Sequence, residues 1–116
     1  MDSFRLTQSE DSGFPVVAFT GYCAKEGGEK LLAAIRALLA AGKNHIILDL
    51  TGCTLISSPG VAQLLTFSME IIEDFRGRLF LVGLDNSKID FLTMTGVIPF
   101  GEPVPTVEAA LAELTG

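Results

Sequence analysis

The stretch richest in groups that could do chemistry is Thr51-Gly52-Cys53-Thr54-Leu55-Ile56-Ser57-Ser58-Pro59-Gly60. It follows a run of apolar residues and precedes a helical pattern. Ser57 and Ser58 fall at or just before the expected helix start. Free backbone N–H groups point outward there, and the helix dipole favours an anion. A phosphate on Ser58 would be electrostatically tolerated and would add about −1.5 to −2 charge to the surface. That charge would repel an acidic partner or remove a close backbone contact. A simpler reading stands beside it. Ser58 caps the helix, Pro59 takes the first helical position with Gly60 behind it, and Ser57 is a polar loop residue.

No second reaction centre emerges. The single histidine, His45, opens a strand and reads as structural or solvent-facing. Asp49 lies near the carboxyl end of a buried strand, where α/β folds often place functional groups. Spacing alone names no second carboxylate to work with it. Asp85 follows the next strand and reads as a cap or loop residue. The chain contains no GxSxG elbow, HExxH pair, phosphate-binding GxxxxGK[ST] loop or GxGxxG fingerprint. Cys23 and Cys53 form no CxxC pair, so they read as small buried residues rather than zinc ligands or a redox dithiol. No catalytic residue, cofactor or metal is expected.

The elements that must position the Thr51–Gly60 stretch are readable from periodicity. Phe4-Arg5-Leu6-Thr7-Gln8 alternates like a half-buried edge strand. Glu10-Asp11-Ser12-Gly13 is a turn cluster. Pro15 to Phe19 is a second strand, antiparallel to the first. Leu31, Leu32, Ile35, Leu38 and Leu39 form one helical stripe, stopped at Gly42. His45 to Leu50 is apolar without alternation, which suits a strand covered on both faces. The second helix places Val61, Leu64, Leu65, Ser68, Ile72 and Phe75 on one side and ends at Gly77. Leu79 to Gly83 is another buried strand. A helix from Ser87 to Thr95 follows, then a brief strand at Ile98-Pro99-Phe100. Pro99 to Pro105 reads as a rigid connection, and Thr106 caps a last helix.

The expected fold is α/β. It is a single domain over residues 1–116, with a mixed, mostly parallel sheet of about five strands and about four helices. The first strand lies antiparallel at the edge. Hydrophobic residues make up 48% of the chain, which excludes a disordered polypeptide. Eight basic against fourteen acidic residues give a net charge of −6. That disfavours a nucleic-acid backbone or an anionic membrane surface as partner. The longest apolar stretch contains Arg36 and is too short to span a bilayer, so no membrane insertion is expected. Two cysteines without a pairing pattern suit the cytoplasm.

The run Ile46-Ile47-Leu48-Asp49-Leu50-Thr51-Gly52 through Ser57-Ser58-Pro59-Gly60-Val61-Ala62-Gln63-Leu64-Leu65 resembles the signature of the STAS domain. More specifically it resembles the bacterial anti-sigma factor antagonists. Their pattern is an apolar strand, Asp-Leu-Ser/Thr-Gly, a short spacer, Asp-Ser-Ser-Gly-Leu and an apolar helix. Val17 to Gly21, Gly77 to Leu84, Ile89 to Val97 and Thr106 to Leu114 match further family segments in the same order. The resemblance implies a non-enzymatic regulatory module in partner switching, hence in signal transduction and transcription regulation. It implies an anti-sigma factor that is also a serine kinase as one partner, and a metal-dependent protein phosphatase as another. It places the phosphorylated serine at Ser58, with Ser57 second.

Three positions depart from the family pattern. The Asp before the serine is Ser57 here, and the second serine is Pro59, which has no N–H to offer a phosphate. The acidic residue expected shortly after Gly21 is missing from Tyr22-Cys23-Ala24. These departures bear on kinase recognition more than on binding. The expected binding surface comprises the loop from Tyr22 to Gly28, with Ser57, Ser58, Pro59, Gly60, Val61, Gln63, Thr66 and Phe67. Phe67 falls off the main apolar stripe and reads equally as an interface anchor or as core. An alternative role is a STAS-like accessory subunit of a membrane transport complex, lipid or ABC-type, without phospho-switching. A small α/β enzyme or nucleotide binder using Asp49 and the serines lacks a base, metal ligands and a Gly-rich loop.

Overall fold

A computed structural model describes residues 3–116 of the chain. Strands β1 (Phe4–Asp11) and β2 (Phe14–Cys23) form an antiparallel hairpin. Its two-residue turn is Ser12-Gly13, with φ of 54° and 86°. Such a turn needs positive φ at both positions to match the strand twist. Then come α1 (Lys25–Ala40), β3 (His45–Asp49), β4 (Cys53–Ile56), α2 (Ser58–Met69) and a π-helical turn (Glu70–Asp74). They are followed by β5 (Arg78–Val82), α3 (Asn86–Met94), the single turn α4 (Val97–Phe100), β6 (Gly101–Val104) and α5 (Val107–Thr115).

The strands form one mixed sheet in the order β1-β2-β3-β5-β6, with β4 added to β2 beyond the end of β3. Every pairing except β1·β2 is parallel. The sheet is covered on both faces, which explains the unbroken apolar runs. Ile46, Leu48, Leu79 and Leu81 point into the larger core with Leu31, Ile35, Leu64 and Phe67 of α1 and α2. Ile47, Phe80 and Val82 point the other way, against Ala110 of α5. Arg78 lies over the Phe80 ring and forms a two-pronged pair with Glu102, at 2.7 and 2.9 Å.

Three expectations are corrected. β4 is a strand inside what reads as loop. The last strand is Gly101–Val104 rather than Ile98-Pro99-Phe100, so the proline-rich stretch is itself partly strand. Gly101 makes this pairing possible, because a Cβ there would lie 2.6 Å from Leu81 Cδ1. Pro103 is accommodated because β6 is an edge. Finally, the buried stripe is Val61, Leu64, Phe67 and Ser68 of α2, continued by Ile71 of the π turn. The π turn widens the helix after Met69 and rotates Phe75 outward, to 44% exposure.

Candidate functional site

Ser57 and Ser58 sit at the carboxyl end of the sheet, where β4 meets α2. β4 holds Ser57 in place, since its N–H donates to the Cys23 carbonyl at the end of β2, at 3.0 Å. The extended backbone of Ser57 (φ −84°, ψ 170°) is N-cap geometry. Its Oγ accepts the Gly60 N–H at 3.2 Å, and its carbonyl accepts the Val61 N–H at 2.8 Å. The cap is therefore Ser57, not Ser58, and Pro59 occupies the second helical position. The one-residue shift follows from β4, which carries the extended backbone through Ile56 to Ser57.

Ser58 is thereby exposed at the first helical position. Its hydroxyl has no hydrogen-bond partner among the described residues. Pro59, also exposed, contributes no N–H. Gly60 is buried against Cys23, and a Cβ at Gly28 would lie 3.3 Å from the Gly60 Cα. The starts of α1 and α2 thus meet through two glycines. Gln63, half-buried, lies over Gly28 with its Cβ and Cγ. Tyr22, half-buried, pairs with Leu55 in the β2·β4 ladder.

No loop runs from Tyr22 to Gly28. β2 extends to Cys23, Ala24 is the buried N-cap position of α1, and the helix begins at Lys25. Val61 is 8% exposed and Phe67 fully buried. Phe67 therefore packs in the core and is not an exposed anchor. Thr66 is exposed, farther along α2. The structure gathers Tyr22, Ser57, Ser58, Pro59, Gly60 and Gln63 at one end and leaves Val61 and Phe67 behind them.

Leu55 carries no assigned role within the Thr51–Gly60 stretch, yet it is 58% exposed on β4. It borders a cleft of about 420 Å³ between β4 and α3, with Thr54, Ile56, Asp85, Ser87, Lys88 and Phe91. A lone Leu within turn residues carries no periodic signal that would have found it. Asp85 caps α3 by accepting the Lys88 N–H at 2.8 Å, and its carboxylate also holds the Lys88 ammonium at 3.0 Å. These bonds, the backbone one first, keep its pKa below the ordinary carboxylate range.

The other candidate groups are structural. Asp49 Oδ1 accepts both the N–H and the Oγ1 hydroxyl of Thr51, at 3.0 and 2.6 Å, and so turns the chain from β3 toward β4. His45 Nδ1 accepts the Arg78 N–H at 3.1 Å. Cys23 and Cys53 are buried free thiols. Desolvation, with a smaller contribution from Cys53, pushes Cys23 up to about 12. Burial also raises Cys53. Among the described residues no group of three His, Cys, Asp or Glu could hold a metal ion. No described helix is long and apolar enough to cross a membrane. What the site offers is an exposed hydroxyl beside a closely packed helix start.

The profile of the STAS domain family matches residues 10–110. No curated protein sequence matches the chain. Several solved structures share its fold. An anti-sigma factor antagonist from Mycobacterium paratuberculosis superposes with a TM-score of 0.83 at 21% identity, over 99% of this chain and 97% of that one. The Bacillus cell fate determinant SpoIIAA in its phosphorylated form gives 0.71 at 21% identity, over 97% and 99%. A STAS domain protein from Planctomyces limnophilus, an anti-sigma-factor antagonist, gives 0.78 at 16% identity, over 96% and 98%.

Proposed function

The chain belongs to the STAS domain family, and from that premise we propose that it is a non-enzymatic anti-sigma factor antagonist. It binds an anti-sigma factor that is also a serine kinase, through the end of the domain where β4 meets α2. The kinase phosphorylates Ser58, the added charge breaks the contact, and a protein phosphatase restores it. The module works in the cytoplasm.

The observation that carries this reading is the state of Ser58. It is exposed, its hydroxyl is unbonded among the described residues, and its neighbour Ser57 does the capping. Phosphorylation therefore removes no hydrogen bond from the fold. The added charge stands at the positive end of α2, where it is tolerated by the domain and presented to a partner. Gly60 and Gly28 keep the frame behind it tightly packed.

The test is incubation with the anti-sigma kinase encoded nearest in the genome, with ATP, followed by phosphosite mapping. Phosphate on Ser58, absent in Ser58→Ala, and loss of kinase binding after modification are the expected results. Binding by the kinase without phosphate on Ser58 would remove the switch and leave a constitutive antagonist. Absence of both would overturn the reading.

A further inference from the structure

We propose that the chain forms a two-fold dimer by pairing β1 with β1 of a second copy, in the register that places Arg5 opposite Asp11. This rests on the sheet edge alone and not on the proposed function.

β1 is the outer strand of the sheet and, among the described residues, has β2 as its one neighbour. Edge strands are normally blunted by proline, a bulge, a cover, short length or charged side chains; the charges of β1, on Arg5, Glu10 and Asp11, are of mixed sign. β1 has eight residues, no proline, and an unbroken register with β2 from Phe4 to Asp11. The Tyr22 N–H donates to the Ser3 carbonyl, so odd-numbered residues of this segment bond inward to β2. The Gly21 N–H, opposite Phe4, turns away to the Gly52 carbonyl, as that alternation requires. The backbone N–H and C=O groups of Leu6, Gln8 and Glu10 accordingly point out from the edge.

A two-fold axis perpendicular to the sheet keeps each face on its own side. Residues opposite one another must then both be even-numbered or both odd-numbered. With the axis at Gln8, Leu6 meets Glu10 of the other copy and the outward backbone groups exchange bonds in pairs. On one face Thr7 meets Ser9, and Arg5 meets Asp11. All four side chains on that face are exposed. Arg5 makes no ion pair among the described residues, while Asp11 accepts a bond from Ser12 alone. These odd positions are the non-hydrogen-bonded pairs of the new ladder, where side chains approach most closely. Charge selects the register. Sliding by two residues one way sets Arg5 against Ser9, and the other way against Gly13, beyond the strand. Glu10, facing Leu6, remains held by Lys43 of its own copy at 3.2 Å.

Sedimentation equilibrium on the full chain, over a concentration series reaching the millimolar range, reads the association. The wild type is expected to dimerise. Arg5→Glu and Asp11→Arg should each weaken dimerisation by about tenfold, since each turns two attractive contacts into repulsive ones. The double variant R5E/D11R should return close to wild-type association, because the charges are exchanged across the same axis. Circular dichroism checks folding, and both sites are exposed. A monomeric wild type throughout the series would overturn the proposal. So would a dimer indifferent to both single changes, or one that the double variant fails to restore.

Discussion

Gly60 at the start of α2 and Cys23 at the end of β2 are in direct backbone contact. A Cβ built on Gly60 overlaps the Cys23 carbonyl oxygen and lies 3.3 Å from its Sγ. That same carbonyl accepts the Ser57 N–H. A side chain at position 60 would therefore push α2 off the strand that holds its cap. Gly60→Ala should cost about 1–3 kcal/mol, the usual range for overpacking against rigid backbone. Urea unfolding monitored by circular dichroism gives the number. A stability equal to wild type would show that the helix start is not clamped.

The two serines should separate cleanly. Ser57→Ala removes the cap and should cost about 1 kcal/mol. Ser58→Ala removes an unbonded, exposed hydroxyl and should stay within about 0.5 kcal/mol of wild type. Ser58→Asp puts a negative charge on the first turn and should be neutral or stabilising by about 0.3–1 kcal/mol. Under the proposed function Ser58→Asp should also weaken partner binding, so stability and affinity move in opposite directions. Chemical denaturation and calorimetric titration with the partner measure the two.

The cap, Ser57, lies one position before the residue that spacing predicts, for a reason that recurs in this chain. The long elements were legible because their periodicity is set by two covered sheet faces and by the stripe of α1. β4 was not legible. It is four residues long, follows the turn-forming Thr51-Gly52, and alternates one buried residue with two exposed ones. Its pairing to β2 is a tertiary fact that no local pattern encodes. Of the two readings open for Phe67 the structure takes the core one, and Phe75, expected inside, turns outward. A 3.6-residue period extended to the helix end puts Phe75 inside, but the π turn at Glu70–Asp74 breaks that period. The serines themselves are legible because the family signature and the helix start coincide there.

Phe67 and Leu55 illustrate what this means for mutagenesis. Phe67 is fully buried between α2 and the sheet, so Phe67→Ala should cost about 3–5 kcal/mol. Any loss of partner binding would then follow from unfolding. Leu55 is largely exposed on β4, two residues before the cap, so Leu55→Ala should leave stability within about 0.5 kcal/mol. If the partner covers this end of the domain, Leu55→Ala should weaken binding in a protein of unchanged melting midpoint. Paired thermal melts and affinity measurements distinguish the two variants.

The end of α2 is tied to α1 by Arg36, whose Nε and Nη2 donate to the two Glu70 carboxylate oxygens at 3.0 and 2.6 Å. These bonds are the main cause holding Glu70 below its ordinary carboxylate range. A folded pKa below the unfolded one means that the unfolded chain takes up the proton first. The stabilisation is therefore present above the ordinary glutamate range and is lost as pH falls through the folded value. Glu70→Gln should be less stable than wild type at neutral pH, and the gap should close in acid. The effect is small because the pair is partly exposed to water. Urea midpoints measured from pH 7 downward test it, and a gap that widens in acid would contradict the assignment.

Cys23 and Cys53 are poor nucleophiles in the folded chain. Burial first, and the neighbouring Cys53 second, push Cys23 up to about 12. At pH 8 Cys23 is then held as the thiol, whereas the thiolate is the reactive form. Burial blocks reagent access as well. Native protein should thus react slowly with a disulfide reagent such as DTNB, and both thiols should titrate once urea unfolds the chain. Cys23 lies beneath Gly60, so exposing its sulfur requires the start of α2 to lift from β2. Its labelling rate therefore reports that local opening. Gly60→Ala, which forces the two apart, should speed the labelling of Cys23 in dilute denaturant more than it speeds any global unfolding signal. If the native thiols react at once, the close packing of α2 on β2 is wrong, and with it the rigid frame behind Ser58.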